Sequence, residues 1–92
     1  MWLDGEDVQV LVLEHAYKHG LTEDQILQAW HNASDHYERV SDDGTRDYVA
    51  VGFANDGVPV EIIGARVAVG ILIYHANTPP TKKVLREIGY AR

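Results

Sequence analysis

Five side chains in this sequence carry the groups needed to move protons at a phosphate ester: His75, Arg46, Lys82, Lys83 and Glu61. Imidazole titrates near pH ~6.5, so His75 can give or take a proton at neutral pH. Lys82 and Lys83 follow it closely and are fixed cations able to reach one phosphate. Arg46 is a second phosphate clamp, with the forked donor geometry of guanidinium. Glu61 is a secondary candidate for general base. A base, a cation and an acid are the elements that transphosphorylation requires, and the set calls for no metal and no cofactor. Each residue type also has a plain structural use. A histidine at a strand end is commonly a hydrogen-bonded structural residue, and a lysine pair on a terminal helix is commonly a solvated face. Arg46 has Asp42, Asp43 and Asp47 close by in sequence as ion-pair partners.

A second pattern is His15 with His19. Four-residue spacing on a helix puts two imidazoles on one face, as metal ligands require. No third ligand of recognisable spacing follows, so packing and a hydrogen bond to a sheet is the expected role of His15. His31 and His36 read as surface residues near loops, and Trp30 as core. No phosphate loop, no serine-histidine-aspartate order and no dinucleotide fingerprint is present.

The elements that must position these residues follow from periodicity. Val8 to Val12 alternates as a strand, and a short helix over Leu13 to His19 stops at Gly20. One longer helix from Glu6 to His19 is the competing reading. Thr22 and Gln25 form a capping box, and Ile26, Leu27 and Trp30 an apolar stripe, predicting a helix from Glu23 to about Asn32. Strands are predicted over His36 to Ser41, Arg46 to Phe53, Val60 to Ala65 and Val67 to His75. The turns Asp42-Asp43-Gly44-Thr45 and Asn55-Asp56-Gly57 separate the first three of these. Within Arg46 to Phe53, Tyr48, Ala50 and Gly52 oppose Val49, Val51 and Phe53. Pro79-Pro80 ends the sheet, and Thr81 to Ile88 reads as a short helix closed by Gly89. The expected fold class is α+β, with N-terminal helices on one face of a three- to four-stranded antiparallel sheet and a short C-terminal helix.

Bulk properties set limits. At 92 residues the chain is one domain, 1–92, and a partner or a second copy would add to a modest stability. The absence of cysteine excludes disulfides and thiolate metal sites and fits a reducing, cytoplasmic setting. No apolar run is long enough to span a membrane, and the acidic N-terminus lacks the basic start of a secretory signal. The net charge of −6 gives no bulk attraction to a polyanion, so contact with RNA requires a local basic patch. Half of the eight Lys and Arg residues, Lys82, Lys83, Arg86 and Arg92, lie in the last eleven positions.

Three ordered segments resemble one family. His15-Ala16-Tyr17-Lys18-His19-Gly20-Leu21-Thr22-Glu23-Asp24-Gln25-Ile26 resembles the opening of the small BrnT-like toxins of bacterial toxin–antitoxin pairs. Arg46 to Gly52 resembles their central strand. Ile73-Tyr74-His75-Ala76, followed by Thr81-Lys82-Lys83, resembles their last strand and final helix start. The resemblance covers roughly residues 13 to 88. It implies a RelE-like fold cradling RNA, metal-independent mRNA cleavage that inhibits translation, and an antitoxin partner encoded nearby that covers the active face. The chain departs from the family in being acidic. A non-catalytic protein-binding module of the same fold, suited to a basic partner and to strand addition at a sheet edge, is the alternative.

Overall fold

The chain's β-branched runs form one five-stranded sheet in the computed structural model, which describes residues 9–89 apart from the side chains of His15, Lys18 and His19. The strands are β1 (Gln9–Val12), β2 (Tyr37–Val40), β3 (Arg46–Phe53), β4 (Pro59–Val67) and β5 (Gly70–Asn77), in spatial order β1-β5-β4-β3-β2. Strands β2 to β5 form the expected antiparallel meander, while β1 pairs parallel to β5. The expectation of three to four antiparallel strands is corrected here: the fold is α+β, but its sheet is mixed and has one strand more. Parallel pairing requires a long crossover. The chain supplies one by running from β1 at one edge, through the helical segments, to β2 at the other edge. Three hairpin-like returns then bring β5 back beside β1.

Between β1 and β2 lie a 3-10 helix, Glu14–His19, and the α-helix α1, Glu23–Asn32. The strand reading of the N-terminal segment therefore stands over the long-helix reading, with Val8 outside the described residues. Gly20, at φ 82°, takes the left-handed conformation that stops the 3-10 turn and donates its N–H to Tyr17 O. The capping box at α1 is complete: Gln25 N–H donates to Thr22 Oγ1 at 3.1 Å, and Thr22 N–H to Gln25 Oε1 at 2.9 Å. Trp30, Ile26 and Ala29 carry α1 onto the sheet, where Tyr48, Ala50, Val60, Ile62, Ile71 and Ile73 complete the larger core. The helix approaches β3 so closely at Gly52 that a β-carbon there would overlap the Ala29 carbonyl oxygen. Trp30 is core, as expected. His36 is not a surface residue: it is half-buried, stacks on Trp30 at 4.0 Å between ring centroids, and pairs Nε2 with Trp30 O at 2.8 Å.

The second α-helix, α2 (Lys82–Glu87), lies on the opposite face of the sheet. Val84 and Ile88 bury against Val49 and Val51, with Ile63 and Leu85 alongside. Helices therefore cover both faces, not one. The alternation read from β3 is what makes this arrangement work, since Val49 and Val51 form a second apolar stripe that also needs cover.

Candidate functional site

The α2 face of the sheet brings His75 and Glu61 into contact, and Lys82 and Lys83 follow on α2, whose start is tied to Glu61 through Thr81. Glu61 leaves β4 on the same side as Ile63, and His75 lies across from Ile63 on β5. The pair, separated by 14 positions in sequence, meets with His75 Nε2 and Glu61 Oε2 at 2.7 Å. Between Ile63 and Gly64 the β4–β5 register shifts by one residue. This bulge interrupts the strand's alternation, so that Tyr74 and His75, although consecutive, both make contacts on the α2 face. Tyr74 donates its hydroxyl to Asp47 Oδ2 at 2.7 Å, one row of side chains away from the His75–Glu61 pair.

Glu61 is only 3% exposed, and both of its oxygens are used. While Oε2 faces His75, Oε1 accepts from the Thr81 N–H at 2.8 Å and from the Thr81 hydroxyl at 2.7 Å. Burial opposes ionisation of Glu61, but the Thr81 donors and His75 outweigh it and hold the carboxyl below its usual value. Thr81 Oγ1 in turn accepts from Val84 N–H at 3.3 Å and caps α2. One carboxylate thus orients an imidazole and anchors a helix start. Glu61, a weaker general-base candidate by residue type, is buried with both oxygens engaged by His75 and Thr81.

The other end of α2 is held too. Arg39 of β2 donates to both oxygens of Glu87, at 2.8 and 2.5 Å. The bond raises the pKa of Arg39 and lowers that of Glu87. Lys82 and Lys83, directly after Thr81, are exposed at the start of α2, the end tied to Glu61. Sequence reasoning missed Thr81, Asp47 and Arg39 as parts of this network. Thr81 alone left a signal, as a helix-capping residue type after Pro80.

Arg46 stands apart. Strand alternation places it with Tyr48 and Ala50, on the α1 face, and its partner is Glu38 at 2.8 Å rather than Asp42, Asp43 or Asp47. Asp43 instead accepts from the N–H and hydroxyl of Thr45 within the β2–β3 turn, which lowers its pKa. His15 and His19 fall in the 3-10 segment, and no cluster of three metal-ligand side chains exists among the described residues. No helix among the described residues is long and apolar enough to cross a membrane. No family model, curated protein or solved structure matches the chain, so a functional reading rests on the residues and their geometry.

Proposed function

We propose that the chain is a toxin-like domain that cleaves RNA without a metal, with His75 as its proton-transfer group. The observation that carries the reading is the 2.7 Å His75–Glu61 pair, set beside a helix start bearing Lys82 and Lys83. A buried carboxylate against Nε2 fixes the ring's tautomer and orientation and stabilises the imidazolium that forms. The imidazole takes the proton of a ribose 2′-hydroxyl. The 2′-oxygen then attacks the adjacent phosphorus, and the 5′-oxygen leaves with a proton. Lys82 and Lys83 offset the negative charge that builds on the phosphoryl oxygens, and one of them supplies that proton. Arg46, on the other face, is outside this set. An antitoxin covering the α2 face would silence the site.

Induction of the protein alone in bacteria is expected to slow growth and fragment mRNA, and His75→Ala is expected to abolish both. Lys82→Ala with Lys83→Ala should weaken both. If the intact protein neither slows growth nor cuts RNA, the reading fails.

One observation favours a second, non-catalytic reading. Edge strand β2 exposes Tyr37 and Val40, lies next to Asp35, Asp42 and Asp43, and belongs to a chain of net charge −6. A basic peptide adding a strand at this edge would satisfy its outer backbone groups and its charge. An unchanged growth effect in His75→Ala would favour this reading over cleavage.

A further inference from the structure

Next to Tyr74, a cleft of about 480 Å³ opens where β3 begins and β4 ends, beside the β2–β3 turn. Thr45, Arg46, Asp47, Ala65, Arg66 and Tyr74 are among its walls. Asp47 has Ala65 of β4 as its cross-strand partner on one side and Arg39 of β2 on the other, so on the β4 side only a methyl group stands beside the carboxylate. The volume lies within the ~300–1,000 Å³ range of small-ligand sites.

Asp47 is the carboxylate of a cleft that Arg46 and Arg66 also wall. It is half-buried, and one of its oxygens is committed to the Tyr74 hydroxyl. Burial and the hydrogen bond to Asp47 push the Tyr74 phenol up to about 12, so this hydroxyl is the donor of the pair. Asp47 Oδ1 makes no hydrogen bond among the described residues. Each carboxylate oxygen has two acceptor sites, so Oδ1 and the second site of Oδ2 can accept from two adjacent N–H donors on a flat ring. Among nucleobases only guanine presents a ring N–H beside an amino group on one edge. Uracil offers a single ring N–H between two carbonyl oxygens, which the carboxylate repels. The cleft adjoins Tyr74, and the bulge sets Tyr74 beside His75 on the same face. A base held here therefore lies about two residues along the strand, roughly 7 Å, from the row that holds His75.

We infer that this cleft is a base-binding subsite selective for guanine, with Asp47 as the specificity-determining residue. The inference rests on the RNA-cleavage reading for its place beside a reacting phosphate, but the subsite is testable without cleavage.

The experiment titrates the full chain with guanosine, inosine, adenosine, cytidine and uridine 5′-monophosphates, followed by calorimetry and amide NMR shifts. Guanosine monophosphate is expected to bind most tightly, with shifts at Thr45, Ala65 and Tyr74. Inosine monophosphate, which lacks the amino group, should bind more weakly, and uridine monophosphate about 10-fold or more weakly. Asp47→Asn should remove the preference for guanosine. Ala65→Leu, which fills the cleft while leaving Asp47 in place, should weaken all five; circular dichroism checks that both variants fold. Equal binding of guanosine and uridine monophosphates, or binding of neither, overturns the subsite. Guanosine binding by a protein that cuts no RNA supports the subsite and removes the nuclease reading. RNA cutting with no guanosine binding does the reverse.

Discussion

Replacing Glu61 with glutamine tests the centre of this architecture, because a single carboxylate serves three donors or partners. Glu61 is 3% exposed and engages His75, the Thr81 N–H and the Thr81 hydroxyl at 2.7 to 2.8 Å. Truncating one partner of a buried charged pair costs about 3–5 kcal/mol. Glutamine keeps the shape and one oxygen for Thr81, but loses the charge and turns a donor toward His75 or Thr81. We expect a loss of about 2–3 kcal/mol, a large share of the roughly 5–14 kcal/mol available to a domain of this length. Thermal denaturation should show it as a Tm drop of about 10–20 °C. The pH dependence has a definite sign. The folded pKa of Glu61 is lowered from 4.5, so its contribution is present above that value and is lost as pH falls through the folded pKa. Glu61→Gln should therefore flatten the acid limb of stability against pH. Hydrogen exchange should quicken at the amides of Thr81 and Val84, where α2 is tied to the carboxylate. On the proposed RNA-cleavage reading, cleavage should also fall, with a changed pH–rate profile, because His75 loses this partner. A Tm change under 3 °C with an unaltered acid limb would refute the reasoning that this carboxylate organises the face.

Three further outcomes follow. Gly52→Ala should destabilise the fold by several kcal/mol, about 2 or more, since its methyl group meets the Ala29 carbonyl in the helix–sheet contact; urea denaturation measures it. Thr22→Ala should cost about 1 kcal/mol by removing the α1 capping box, readable in the same assay. Arg39→Ala should cost about 0.5–1 kcal/mol because the Arg39–Glu87 pair is partly exposed, and a double-mutant cycle with Glu87→Ala should show that most of the loss belongs to the pair.

Local signals made much of the fold legible. Thr22, Gln25 and the stripe through Ile26 and Trp30 define α1 and its first residue, because a capping box and a 3.6-residue period act within one segment. Strand β3 and the turn before it were equally plain, as was the opposition of Tyr48 and Ala50 to Val49 and Val51, because alternation is a property of the strand itself. His75 and Glu61 could be singled out by residue type, and Lys82 and Lys83 by charge.

Tertiary structure alone decided where these pieces meet. Nothing local to Gln9–Val12 specifies a parallel partner 61 positions later, since pairing follows from how the chain crosses the sheet and returns. The same holds for α2. Its stripe of Val84 and Ile88 demanded burial, but which face it covers was settled by the second apolar stripe on β3. The His75–Glu61 contact depends on the register of β4 against β5 and on a bulge invisible in composition. That register set Glu61 against both His75 and the start of α2, and alternation carried Arg46 to the other face. Residue types determined which chemistry was available to this chain; the sheet's register and the side taken by α2 determined which of those residues can act together.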